Sequence, residues 1–167
     1  ESSSVVVPFD FDQDGDMDIL AAISGEDKFV WYENTGNITN WTQHIISSSS
    51  LGAREIQSAD IDNDGDLDVV GNSRFENKIV WFENDGNLAN INWTERTVAS
   101  NLHRPLSIHV SDIDNDGDMD IISTIDDEDR IALFRNNGNF ASITWTESDI
   151  STNALWAVSA TTSDMDN

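Results

Sequence analysis

Short runs in which apolar and polar positions alternate with a period of two recur along the chain, as in "LSIHVSD" at 106–112, "MDIISTI" at 119–125, "RIALFR" at 130–135 and "TWTESDI" at 144–150. That periodicity predicts half-buried β-strands. Turn-forming clusters separate the runs, among them "DDED" at 126–129 and "NNGN" at 136–139. No segment sustains a 3.6-residue apolar stripe, so the reading is all-β, with four short strands in each stretch of about 50 residues.

The stretch repeats. An acidic element occurs as "DFDQDGDMD" at 10–18, "DIDNDGDLD" at 60–68 and "DIDNDGDMD" at 112–120, at spacings of 50 and 52 residues. A second element keeps step with it: "KFVWYENTGN" at 28–37, "KIVWFENDGN" at 78–87 and "RIALFRNNGN" at 130–139. A third begins at Trp41, Trp93 and Trp145, each followed by Thr. The first copy lacks two residues between Gly36 and Trp41, a deletion that falls in a loop. A four-stranded unit with this period is expected as one blade of a β-propeller, which must stack on its neighbours to cover both faces. The blades are read as 4–53, 54–105 and 106–157, with 158–167 opening a truncated fourth in which "SDMDN" supplies only Asp164 and Asp166 of the acidic motif. Propellers close with four to eight blades. This arc is therefore expected to be part of a longer chain, or to complete a ring by self-association.

Composition then narrows the function. Thirty-two acidic residues against eight basic ones give a formal charge of −24, which repels phosphate backbones and anionic headgroups and excludes nucleic acid as a partner. No apolar run is long enough for a membrane-spanning helix, so no membrane insertion is expected. The start, "ESSSVVVPFD", reads as a processed or excised piece. Cysteine is absent, so thiolate metal sites are excluded. Five aspartates within nine residues repel by roughly 3 kcal/mol per pair at 5 Å and an effective dielectric of about 20, so such a loop calls for water or a cation. In D-x-D-x-D-G-D-x-D the carboxylates at positions 1, 3 and 5 can converge as the chain wraps around one point, the glycine permits the sharp turn, and position 7 can offer its carbonyl. Oxygen-only ligands suit Ca²⁺ better than Mg²⁺, and about three ions are expected, one per complete loop. The candidate ligands are Asp10, Asp12, Asp14, Asp16 and Asp18; Asp60, Asp62, Asp64, Asp66 and Asp68; and Asp112, Asp114, Asp116, Asp118 and Asp120. An EF-hand is excluded, because position 12 is Ala21, Gly71 or Ser123 rather than Glu and the flanks are strand-like. The closing ligand is then the aspartate at position 9. The carboxylate at position 7 is expected to face water.

The loop "ADIDNDGDLDVV" and the following "KIVWFENDGN" resemble the FG-GAP and VCBS repeat family, found in the propeller of integrin alpha subunits and in long secreted or surface-attached bacterial proteins. The resemblance implies a β-propeller whose calcium loops join the first and second strands of each blade, and an extracellular or cell-surface location. Extracellular calcium modules work at about 10⁻⁴ to 10⁻³ M. The expected role is a calcium-stabilised scaffold for adhesion or for binding a protein or glycan. The alternatives are a lectin-like module, suggested by six tryptophans, and an accessory propeller of a polysaccharide-degrading enzyme. The chain itself is not expected to be an enzyme: it has no G-x-S-x-G elbow and no phosphate loop. Trp31 and Trp81, aligned with Leu133, are expected between blades.

Overall fold

The structure, a computed structural model, describes residues 4–37, 39–87 and 90–163. Strands β1 (Ser4–Phe9), β2 (Asp18–Ile23), β3 (Lys28–Asn34) and β4 (Trp41–Ser47) form one sheet. The second sheet consists of β5 (Ala53–Ala59), β6 (Asp68–Ser73), β7 (Lys78–Asn84) and β8 (Trp93–Ser100). The third holds β9 (Pro105–Ser111), β10 (Asp120–Ile125), β11 (Arg130–Asn136) and β12 (Trp145–Ser151). Each is antiparallel with strands in chain order, so the molecule is a propeller-type array of four-stranded blades. Among the described residues the only helical turn is a single 3₁₀ turn, Asp126–Glu128. Each acidic stretch is the connection between the first and second strand of its blade.

Alternation along the strands sends side chains to opposite faces, and both faces of the middle blade are covered. The result is two cores, one in each seam. Leu20, Phe29 and Trp31 of the first blade meet Ile56, Val69, Val80 and Phe82 of the second. Val70, Ile79 and Trp81 of the second meet Ile108, Ile121, Ala132 and Phe134 of the third. Neighbouring residues Val69 and Val70 thus serve different seams, which is why β6 is buried from end to end.

The blades are also latched at their turns. Asp27 and Asn77 close the β2–β3 and β6–β7 turns in the left-handed region, at φ of +56° each. Their carbonyls accept the N–H groups of Ser50 and Leu102 at 2.9 Å, and their side-chain oxygens accept those of Gly52 (2.7 Å) and Arg104 (3.1 Å). Gln57 adds a third tie: its amide donates to the Ile108 carbonyl at 3.2 Å and accepts from Val110 N–H at 2.9 Å.

Residues beyond β12 repeat these contacts one blade further on. Ala154 N–H donates to the Asp129 carbonyl at 2.6 Å, Trp156 takes the left-handed conformation that Gly52 and Arg104 have, and His109 Nε2 meets Thr162 Oγ1 at 2.9 Å. The segment therefore starts along the path of a first strand, with no second strand beside it among the described residues. Asp164 and Asp166 lie outside the described residues.

Candidate metal centres

The three acidic loops share one backbone design. Gly15, Gly65 and Gly117 adopt φ near +95° to +98°, a region closed to side chains with a Cβ, and each donates its N–H to the first aspartate of its loop: Asp10, Asp60 and Asp112 accept at 3.1, 3.0 and 3.1 Å. The fifth-position carboxylates of Asp14, Asp64 and Asp116 accept the N–H two residues on, at 2.8, 2.9 and 3.0 Å. These bonds curl the chain and turn the remaining oxygens toward a common centre. One oxygen from each of Asp10, Asp12 and Asp14 lies within 4.8 Å of the others, and the same holds for Asp60, Asp62 and Asp68 and for Asp112, Asp114 and Asp116.

Two oxygens of the triad residues stand out. Asp10 Oδ1 and Asp62 Oδ1 are buried and accept no hydrogen bond from the protein. A carboxylate oxygen turned inward without a donor is costly, and a hard cation is the group that satisfies it. Burial pushes the Asp62 carboxyl up to about 6, and the neighbouring carboxylates of Asp64, Glu83 and Asp60 push the same way. Asp12 is raised as well, mainly by burial. The all-oxygen donor set fits calcium.

The ninth-position aspartates have a different task. Asp18, Asp68 and Asp120 are at most 1% exposed, and each carboxylate spans two backbone donors. One is the N–H of position 2, on Phe11, Ile61 or Ile113, at 3.1, 3.1 and 3.3 Å. The other is the N–H of an asparagine at the end of the third strand, on Asn34, Asn84 or Asn136, at 2.7, 2.8 and 2.9 Å. Each loop is thereby pinned to its own blade. Of the three, Asp68 also joins its triad, while Asp18 and Asp120 stand outside theirs. Burial raises the Asp68 carboxyl to about 7 against the opposing effect of its two backbone donors.

The asparagines themselves were not singled out from the sequence. Asn34 and Asn84 donate their side-chain N–H to the carbonyls of Met17 and Leu67, and Asn136 reaches across the seam to that of Ile61. Their signal was the constant Asn at the start of "NTGN", "NDGN" and "NNGN". The seventh-position carboxylates lie close to the glycine of those turns. A Cβ on Gly86 or Gly138 would come within 2.3 or 2.2 Å of Asp66 or Asp118 Oδ2, and one on Gly36 within 3.2 Å of Asp16 Oδ2. The turn glycines serve the acidic loop as well as their own φ.

Beside each loop sits a residue from the third strand. Glu33 adds negative charge near Asp12 and is held by His44 Nε2 at 2.7 Å; Glu83 does so near Asp62 and is held by Arg96. In the third blade the corresponding residue is Arg135, whose Nε lies 3.4 Å from Asp114 Oδ2. Trp31, Trp81, Trp93 and Trp145 belong to the packing. Trp31 is 2% exposed, with the Phe11 ring at 4.8 Å and the His44 ring stacked at 4.3 Å. Trp93, from the second blade, covers the same Phe11 at 5.6 Å.

A match to the family described as FG-GAP-like repeat covers residues 10–71, 60–123 and 112–167. The chain is a repeat protein of that kind and belongs to the FG-GAP-like repeat family. No curated protein matches it.

Proposed function

We propose that this chain is a calcium-stabilised segment of a β-propeller from a secreted or surface-attached bacterial protein, non-enzymatic itself, and a rigid scaffold for binding a protein or glycan. The observation that carries the reading is the threefold convergence of aspartate oxygens, with buried acceptors in two of the loops that no protein donor reaches. Asp10, Asp12 and Asp14 would hold one ion, Asp60, Asp62 and Asp68 a second, and Asp112, Asp114 and Asp116 a third. Calcium would supply the positive charge that lets these carboxylates stay ionised at close quarters. The chain's own part is to preorganise them, through the glycine and ninth-position bonds.

An ion that binds the folded state alone adds about 2.7 kcal/mol per site at a concentration 100 times its dissociation constant. Three such ions also remove six units of negative charge from a chain that carries −24. Thermal unfolding after exhaustive chelation, repeated with millimolar Ca²⁺ or Mg²⁺, tests the reading. A large rise specific to Ca²⁺ is expected. Equal midpoints in all three conditions would refute it. A lectin role built on Trp31 is not favoured, because that indole is 2% exposed, packed by Phe11 and stacked on His44.

A further inference from the structure

The three loops are alike in their aspartates and unlike in what stands next to them. The residue two positions after Trp31, Trp81 and Leu133 is Glu33, Glu83 and Arg135. On the fourth strand these three pair with Thr42, Thr94 and Thr146, and the diagonal positions, opposite Trp31, Trp81 and Leu133, are His44, Arg96 and Ser148. In the first two blades the third-strand carboxylate faces the acidic loop and takes its counter-charge from the fourth strand, through His44 or Arg96. Glu83 and Arg96 line one cavity with Asp62, so this arrangement borders the ion position directly. The third blade inverts it. Arg135 has no acid beside it on the fourth strand at Ser148, and its guanidinium turns to the loop and pairs with Asp114, a member of the third triad.

We propose that Arg135 acts as a built-in competitor for calcium at the third loop, which makes that site the weakest of the three and the last to fill. The proposal rests on the calcium reading above. A guanidinium beside the carboxylate at position 3 already pairs with one of its two oxygens, and it repels an ion bound there. Repulsion from a monovalent cation about 6 Å away lowers the affinity of a dication roughly tenfold in water before salt screening, and the loss of the third-strand carboxylate that the other two sites have adds to it. Within the acidic loops, the buried carboxylate oxygens without a protein donor are Asp10 Oδ1 and Asp62 Oδ1, in loops 1 and 2, whereas Asp114 is exposed and has Arg135 beside it. The consequence is a graded response: the first two blades would load at low calcium and the third only near the top of the extracellular range.

Calorimetric titration of the full chain with Ca²⁺ at 0.15 M salt tests this. Two tighter steps and one at least about tenfold weaker are expected. Asp114→Asn should abolish the weak step and leave the tighter two. Arg135→Glu should bring the weak step to within about threefold of the others, and Arg135→Gln, which keeps the side chain's bulk, should move it part of the way. Circular dichroism of each variant establishes that it is folded. Three indistinguishable sites, a weak step unmoved by both Arg135 variants, or loss of a tight step in Asp114→Asn would each overturn the role of Arg135 while leaving calcium binding intact. No calcium binding at all would overturn both readings.

Discussion

Asp68 combines two demands in one side chain, because it ties the second loop to the end of β7 through two backbone donors and also presents an oxygen to the triad with Asp60 and Asp62. Its carboxyl at about 7 and that of Asp62 at about 6 both stand above the ordinary value near 3.8. For an acid raised in the folded state, the stabilising contribution is complete below the unfolded value and is lost as pH rises through the folded one. The calcium-free protein should therefore lose thermal stability as pH goes from about 4 to 7.5. Saturating calcium, which needs the ionised carboxylates, should flatten or reverse that trend. Scanning calorimetry with and without chelator checks both, and a calcium-free midpoint that climbs across this window would contradict the assignment. Asn84 offers a second test. It is 2% exposed, donates to Leu67 and accepts from Gly86 N–H, so Asn84→Ala leaves the half-buried Leu67 carbonyl and the Gly86 N–H without these partners. Urea unfolding should show a loss of about 1–3 kcal/mol.

Among the elements, β6 shows how one strand can be composed for two partners. Gly71 faces the first seam, where a Cβ would lie 2.6 Å from Phe29 Cζ. Phe29 is fully buried and cannot give way. Its counterpart in the second blade is the smaller Ile79, and the strand facing that one carries Ser123 in place of the glycine. Each seam thus matches a bulky third-strand residue to a small second-strand residue of the next blade. Gly71→Ala is expected to cost about 1–3 kcal/mol by overpacking. In that background Phe29→Leu should cost less than it does in the parent, and a double-mutant cycle measures the coupling. Additive losses would mean the two residues do not meet. The turn residues Asp27 and Asn77 belong to this scale as well: their left-handed conformation and their job of holding the next linker both came from the structure.

For the molecule as a whole, stability passes from blade to blade through the two seams, as in other quasi-one-dimensional arrays. Past β12 the described residues make the contacts of a linker, with no strand paired to them among the described residues, and Leu155, Trp156 and Val158 are 64%, 84% and 65% exposed. Local opening is easiest where few contacts hold the backbone. Limited chymotrypsin digestion should therefore cut first after Leu155 or Trp156 and leave a core that still melts in a calcium-dependent way. First cuts inside a blade would show that the seams, not the tail, are the weak points.

The sequence alone was enough for the strand period, the 50-residue repeat, the blade-like unit and the place of the acidic loops, because these are local properties: alternation sets strands, and alternate acids around a glycine set a loop. Which carboxylates face the centre and which brace the loop was decided by tertiary structure. Asp18, Asp68 and Asp120 look the same in the motif as their neighbours, and only the return of β3, β7 and β11 brings Asn34, Asn84 and Asn136 to them across 16 residues of chain. The contrast between Glu33, Glu83 and Arg135 was likewise visible as letters but had no meaning until the hairpin placed them beside the acidic loops. Pairing between distant strands is what turns equivalent aspartates into unequal ones.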